Sequence, residues 1–522
     1  MNQHKKSSLW TVIGASSVGT MIEWYDFYIF GSLATIISTK FFPSDNPTAA
    51  FLSTLATFAA GFVVRPFGAL FFGRLGDLIG RKYTFMVTLV LMGGATFLIG
   101  CIPSYETIGF MAPTLVLVLR LLQGLALGGE YGGAATYVAE HAGPGQRGYW
   151  TSWIQTTATI GLFVSLMVIM ATKSAMSKEA FEDWGWRVPF WVSILMILVS
   201  YLIRKNMSES PEFAKVKAEG KTSKNPLKES FGNKLNFKFV LLALFGIVMG
   251  QGVVWYTGQF YAMSFIEKVM GLSDQVGDIM MYAILMATPF FVFFGWISDK
   301  IGRKWLMLAG ILIAVVAYRP IYRAMYETTS IKNKTEIEAK TVVLAETKEN
   351  KAKALDSVYT TTKEFTDGAT WKEVKTVTLE NGVAKIGDDG KPKVEVKKTM
   401  VVNESDKWTL VWLVFIQIFL VTVVYGPTAA FLVELFPAKI RYTSMSLPYH
   451  IGNGIFGGLL PAVATSLVAA ATKANDAATE AGQAVAVAEP YLQGLWYPII
   501  IGAICFIIGA IYVDGKSTSH KH

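Results

Sequence analysis

What most constrains this chain is a succession of apolar stretches, each about as long as the 20 residues a helix needs to cross the hydrocarbon core of a bilayer. Short polar breaks separate them. Twelve spans are expected, at residues 10–38, 50–73, 84–102, 112–139, 149–172 and 187–205, then 237–267, 277–297, 304–326, 409–436, 442–470 and 490–514; they are numbered 1 to 12 below. Composition agrees, since 52% hydrophobic and 16% charged residues is a balance that soluble globular proteins rarely reach. The fold class is therefore an all-α membrane protein. Twelve crossings place both termini on one side. The basic N-terminus leads into a span that carries Glu23 and Asp26, with no small-residue cleavage site, so a removable signal peptide is not expected.

Lys and Arg accumulate in cytoplasmic loops, and that bias sets orientation. Lys5, Lys6, Arg74, Arg81, Lys82, Arg147, the stretch from Arg204 to Lys238, Lys300, Arg303, Lys304, Lys439 and Arg441 all fall on one side. Both termini are expected there, in the cytoplasm. The net charge of +9 follows from this bias and from contact with anionic lipid headgroups, so no nucleic-acid partner is implied. Cys101 and Cys505 lie in or beside apolar spans and read as buried thiols, which leaves no disulfide framework. Five scattered histidines make no metal site. No phosphate-binding lysine loop, dinucleotide fingerprint or nucleophile–base set is present, so an enzyme, an ATP-driven pump and a cofactor are not expected. Energy must come from gradients.

The chain repeats itself. Gly73-Arg-Leu-Gly-Asp77-Leu-Ile-Gly80-Arg81-Lys82 lies between spans 2 and 3, and Gly295-Trp-Ile-Ser-Asp299-Lys-Ile-Gly302-Arg303-Lys304 lies 222 residues on, between spans 8 and 9. Glu140 and Arg147 end span 4 as Glu434 and Arg441 end span 10, but 294 residues apart. The excess is about the length of a hydrophilic insertion at 328–407. The reading is a duplicated six-span unit: a bundle at 1–205, a cytoplasmic linker at 206–236, and a second bundle at 237–522 that contains the insertion.

The paired motif resembles the signature of the major facilitator superfamily. The resemblance covers essentially every span. It implies two six-helix pseudo-repeats, with the Asp and Arg of each loop pairing with helix ends and with the Glu/Arg pairs to latch the cytoplasmic side. Three stretches are similar to the metabolite:proton symporter family: Glu23-Trp24-Tyr25-Asp26-Phe27, Arg65-Pro66-Phe67-Gly68, and Arg120-Leu-Leu-Gln123-Gly124 running to Gly132-Gly133. Asp183-Trp184-Gly185-Trp186-Arg187 and Ser210-Pro211-Glu212 agree. Members of that family import proline and betaine, 2-oxoglutarate, shikimate, citrate and related compounds.

A charge at the centre of a spanning helix costs about 2.5–3.5 kcal/mol on insertion scales, so Glu23, Asp26, Arg65, Arg120 and Glu130 should face the bundle interior. Glu23 and Asp26, three apart, share a helix face. The resemblance to proton-coupled sugar carriers pairs Arg120 with Asp26, which makes Asp26 the expected proton site and Glu23 the alternative carrier. A permanent ion pair is the competing reading. Arg65 precedes Pro66, whose missing N–H breaks the helix, and either binds substrate or braces span 1. Glu130 lies among glycines that admit a neighbouring helix, and is a second proton relay or the partner of Arg65. In the second half Gln251, Trp255, Tyr256, Gln259, Tyr425, Tyr449 and Asn453 are candidate substrate-binding groups. Trp255 and Tyr261 read equally as interfacial anchors. His450 reads as a structural histidine or a proton sensor.

The insertion carries 15 Lys/Arg against 14 Asp/Glu. Runs at 374–379, 383–386 and 394–401, separated by Asn381-Gly382 and Asp388-Asp389-Gly390, predict a small β-meander after a helical Lys/Glu-rich stem, outside the membrane. A passive cap is expected of it. The functional expectation is a monomer in a bacterial inner membrane, importing a small organic acid or zwitterion with protons. The alternatives are a proton-independent uniporter or exchanger, a drug exporter, and a membrane ligand sensor.

Overall fold

The computed structural model describes residues 9–42, 53–54, 56–57, 60–205, 207–349, 355–380, 383–386, 392 and 394–513. Ten of its helices are long and apolar enough to cross a membrane: Arg81–Ile99, Met111–His141, Arg147–Ser174, Gly185–Lys205, Lys234–Val269, Val276–Ile301, Arg303–Thr329, Glu404–Leu435, Arg441–Glu480 and Pro490–Tyr512. They fall on expected spans 3 to 12. Span 1 is a helix at Leu9–Ser32 that pauses at Leu33 and resumes at Ala34–Phe41. Two acids and several Ser, Thr and Gly residues interrupt its apolar run. Of span 2, most residues before 60 lie outside the described set. Its helix restarts at Arg65–Leu78 with Pro66 in the first turn, the position where a missing N–H is harmless. Lys5, Lys6 and the turns at 381–382 and 388–390 also lie outside the described residues.

Large apolar side chains point outward along these helices, among them Phe67, Phe71, Met170, Leu195, Val316 and Ile504. On a soluble protein so much exposed apolar surface would be a liability; on a membrane helix it is the face that lipid covers. Polar groups go the other way, and Asp26, Arg120, Glu130, Gln251 and Asn453 are all buried.

Spans 7 and 11 are not regular. Span 7 widens into π-helical turns at Leu244–Val248, Thr257–Tyr261 and Phe265–Val269, and span 11 at Gly452–Gly457. The two helices meet through glycine: a Cβ on Gly252 would overlap the Gly452 carbonyl, and one on Gly457 would overlap the Tyr256 ring. Such wide turns interrupt the hydrogen-bond ladder and are frequent at functional sites.

The insertion corrects the expected helical stem. Its first part forms only short 3-10 turns at Ile331–Asn333 and Glu338–Lys340, then strands β1 (Val342–Glu349) and β2 (Leu355–Glu364). Strands β3 (Thr370–Glu380), β4 (Val383–Ala384) and β5 (Val394–Val401) follow. β1 pairs with β2, β2 with β3, and β3 with both β4 and β5, all antiparallel. The stem's Lys and Glu residues flank the runs Val342-Val343-Leu344 and Thr360–Thr362, whose β-branched residues suit a pleated surface better than a helix. The sheet docks at the end of the second bundle remote from the Asp299 loop. Met400 N–H donates to the Gly271 carbonyl (2.8 Å), and Gln275 makes two bonds with the Val402 backbone, both 2.9 Å.

Candidate functional site

Asp26, on span 1, is buried and held by two neighbours on span 4. Arg120 Nη1 lies 3.3 Å from Oδ2, and Gln123 Nε2 donates to Oδ1 at 2.9 Å. Gln123 also accepts from Arg120 (2.9 Å) and donates to Thr96 Oγ1 on span 3 (2.8 Å). The guanidinium sits over the Phe30 ring at 4.3 Å. The expected Asp26–Arg120 pairing is thus a four-residue network joining three spans. Its chemical capacity is to hold either one negative charge on Asp26 or one proton there, with the contact between spans 1 and 4 differing in the two states.

Glu130 does not pair with Arg65. Arg204 of span 6 reaches it instead, at 2.8 Å, because Gly19 leaves the space that the guanidinium fills. Thr88 Oγ1 donates to its other oxygen (2.7 Å), and Arg204 also bonds the Phe85 carbonyl (2.6 Å) and covers the Phe85 ring. Both charges are saturated, and the result is a brace among spans 3, 4 and 6.

The centre of the molecule is aromatic. Trp24 of span 1 meets Trp255 of span 7 at 5.2 Å between ring centroids, so Trp255 is an interior residue and not an interfacial anchor. Tyr261 is buried too, against Tyr322. Tyr131 stacks on Tyr449 at 3.8 Å and is near-parallel to Tyr425 at 6.3 Å, while the Tyr425 and Tyr449 hydroxyls bond each other. These stacks cross between the first and second halves. Gln251 and Asn453 form a reciprocal amide pair at 3.1 and 2.9 Å, which ties spans 7 and 11 together. Gln259 and Tyr256 are buried beside them. Glu23 at Oε2, Arg65 at Nε, Tyr261 at its hydroxyl and His450 at Nε2 each keep a buried atom without a hydrogen-bond partner.

At the opposite end from the sheet, each motif loop reaches into the other half. Asp77 accepts from the backbone N–H groups of Tyr442 (3.3 Å) and Thr443 (2.8 Å), at the start of span 11. Asp299 accepts from those of Gly148 (2.9 Å) and Tyr149 (2.7 Å), at the start of span 5. A carboxylate at a helix N-terminus satisfies orphan donors and the dipole together. The glycines of the motif have separate reasons. Gly73 and Gly295 admit the other half's helix, since a Cβ on Gly73 would lie 2.9 Å from Thr443 Cα and one on Gly295 2.5 Å from Ser152 Cβ. Gly80 and Gly302 turn the chain with φ of +132° and +93°. Arg81 bonds Asp77 (3.1 Å) and Glu140 (3.3 Å), and Arg303 bonds Asp299 and Glu434, both at 2.8 Å. Arg441 crosses the halves to Glu140 at 2.9 Å.

Sequence reasoning missed three participants. Gln123 and Thr96 complete the Asp26 network, and Glu212, from the linker, bridges Arg147 and Arg441. Gln123 follows Arg120 by three residues and so shares its face, a signal present in the sequence. The glutamate's reach was not.

Known proteins resemble this chain throughout. A family profile described as "Sugar (and other) transporter" matches residues 11–232 and 203–345. The α-ketoglutarate permease of Escherichia coli is 35% identical over 62% of this chain and 73% of its own length. The proline/betaine transporter of Escherichia coli is 33% identical, and the aligned part spans 59% of this chain and 63% of that protein, under two thirds of its length. The citrate–proton symporter of Klebsiella pneumoniae is 28% identical over 86% of this chain and 83% of its own. Among solved structures, the proton:xylose symporter bound to a bromo-deoxyglucose superposes with a TM-score of 0.67 over 98% of both chains at 14% identity, a likeness of fold alone.

Proposed function

The chain belongs to the sugar (and other) transporter family within the major facilitator superfamily, and from that premise we propose that it imports a small organic acid or zwitterionic metabolite together with protons. Its relatives are transporters and not enzymes, and two of them are named as proton symporters. The observation that carries the reading is the buried Asp26–Arg120–Gln123–Thr96 network. Separating a buried ion pair is unfavourable, whereas adding a proton to Asp26 removes one of the two charges and lets spans 1 and 4 change contact. Proton binding and helix movement are then one event.

The twelve spans act as two six-helix halves, 1–205 and 237–522, which rock about a central site. Asp77, Asp299, Arg81, Arg303, Glu140, Glu434, Arg147 and Arg441 latch the cytoplasmic face, so inward opening must break these contacts and rebuild them on return. Both termini are cytoplasmic, the molecule works as a monomer in a bacterial inner membrane, and the sheet is a passive cap on the outer side. A second reading, a uniporter or exchanger with Asp26–Arg120 as a permanent pair, draws on the bond from Gln123, which holds Asp26 without any proton.

The test is external pH in weakly buffered, de-energised cells expressing the chain, during addition of 2-oxoglutarate, citrate, shikimate, proline or betaine. Alkalinisation on adding a transported compound supports symport. Entry of a compound with no pH change replaces it by the uniport or exchange reading.

A further inference from the structure

The repeat makes the two motif-loop latches equivalent in sequence, but their contacts differ. After Arg441, at the start of span 11, the second half carries Tyr442; after Arg147, at the start of span 5, the first half carries Gly148. Tyr442 is fully buried, and its ring crosses into the first half. It fills a socket that the glycines of spans 2 and 4 leave open. A Cβ on Gly76 would overlap the ring, one on Gly132 would lie 3.0 Å from Cε2, and one on Gly133 2.7 Å from the hydroxyl oxygen. That hydroxyl donates to the Gly129 carbonyl, while the backbone N–H of Tyr442 donates to Asp77. The residue is pinned at both ends.

At Gly148 there is no side chain to cross. A Cβ there would overlap the Gly295 carbonyl and lie 2.5 Å from Ser298 Oγ, so backbone lies flat on backbone. Ser298 also stands in the second motif where Gly76 stands in the first, which leaves no matching socket. Burial differs in the same sense. The side chains of Asp77, Arg81 and Glu140 are 0% exposed, whereas those of Asp299, Arg303 and Glu434 are 6, 11 and 16% exposed. A cavity of about 540 Å³ lies against Asp299, lined also by Tyr149, Trp150, Trp296 and Lys300. Charges that solvent reaches are screened more than buried ones. A fitted ring, in turn, forfeits its contacts as soon as a narrow gap opens around it. Parting the halves at Tyr442 requires withdrawing a whole ring; parting them at Gly148 separates two flat surfaces.

We propose that Tyr442 is a positioning residue of the transport cycle, a pin that holds span 11 against spans 2 and 4 while the halves part first between spans 5 and 8. The motif-loop end then opens from one side, with the Asp299 latch yielding before the Asp77 latch. This order depends neither on which metabolite is carried nor on proton coupling, so its test and the external-pH test fail separately.

The experiment uses the full chain in proteoliposomes, with Cys101→Ser and Cys505→Ser, and one pair of spin labels at a time. The labels sit on Arg74→Cys with Lys439→Cys at the Tyr442 side, or on Gln146→Cys with Lys300→Cys at the Gly148 side; all four positions are exposed. Pulsed electron-spin resonance gives the ratio of separated to closed molecules for each pair. With Tyr442 in place, the ratio at the Gly148 side should exceed that at the Tyr442 side by roughly tenfold or more. Tyr442→Ala should raise the ratio at the Tyr442 side roughly tenfold and leave the other within about threefold. Tyr442→Phe keeps the ring, and both ratios should stay within about threefold of their starting values. Equal ratios with Tyr442 in place overturn the proposal, as does a Tyr442→Ala change that moves both pairs together or neither. So does Tyr442→Phe opening the Tyr442 side as far as Tyr442→Ala. The comparison of the two pairs with Tyr442 in place needs no variant of the pin, and it decides the matter if Tyr442→Ala does not fold.

Discussion

Asp26 has two hydrogen-bond donors with different consequences for removal. Losing Gln123 would leave the ion pair in place, whereas Arg120→Ala would strand a buried carboxylate at a cost of about 3–5 kcal/mol. The Arg120→Ala protein is therefore expected to unfold at markedly lower temperature in detergent, and the double variant Asp26→Asn with Arg120→Gln to recover most of the loss. Equal destabilisation of single and double variants would mean that the two side chains do not interact. At the end of the molecule that carries the sheet, Glu489 takes hydrogen bonds from Arg323 at 2.6 and 2.8 Å and lies 3.2 Å from Arg319. The Arg323 bonds and charge hold its carboxyl below the ordinary 4.5. A depressed value means that the tie stabilises fully above pH 4.5 and fades as pH falls through the lowered value. Thermal stability in detergent should drop below that pH, and Glu489→Gln should flatten the drop; an unchanged profile would exclude the tie as its source. The acids and arginines of span interiors were legible in the sequence because charge is so rare in such helices. Their pairing was legible only in part: Asp26 found Arg120, but Glu130 found Arg204, whose long side chain crosses to it through the gap left by Gly19.

At the scale of elements, each motif loop caps a helix of the other half. Asp77 is buried, holds two backbone N–H groups of span 11, and pairs with Arg81. A carboxylate at a helix N-terminus is worth up to about 2 kcal/mol, equivalent to roughly 30-fold in a conformational equilibrium. Asp77→Asn should therefore favour opening at the end that carries the motif loops. Cys101 is exposed, unlike the expected buried thiol, so the reporter is a cysteine introduced at Ser446, buried beside Gly132, in a chain with Cys101→Ser and Cys505→Ser: in inside-out vesicles its modification should quicken by roughly tenfold in Asp77→Asn. An unchanged rate would mean that the loop closes nothing. The repeat made this architecture readable, since two copies of one loop imply two copies of one contact. The insertion was less readable. Its Lys/Glu content resembles a helical stem, but β1 and β2 gain their hydrogen bonds from each other and from β3, and that pairing partner lies beyond any local window.

At the scale of the whole molecule, the sheet touches the rest through Gly271, Gln275 and the Lys334 ion pairs with Asp367 and Asp406, all within the second half. Each of these contacts lies on one side of the boundary between the halves. Replacing 335–401 with a short Gly/Ser linker is expected to leave the uptake rate within about threefold, as surface insertions generally allow. Abolished uptake with normal membrane insertion would give the sheet a role in the cycle. The aromatic contacts at the centre and the carboxylate caps at one end together join two halves that, apart from the linker, no covalent crosslink holds. That arrangement suits a molecule which must separate its halves at one end and keep them in register at the other. The central claim is that movement is coupled to a proton on Asp26. Its most direct test is uphill accumulation of a transported metabolite in proteoliposomes under an imposed pH gradient, compared with exchange at equal pH, in the unaltered chain and in Asp26→Asn. The account predicts that Asp26→Asn exchanges substrate but no longer accumulates it; accumulation that persists in Asp26→Asn would contradict it.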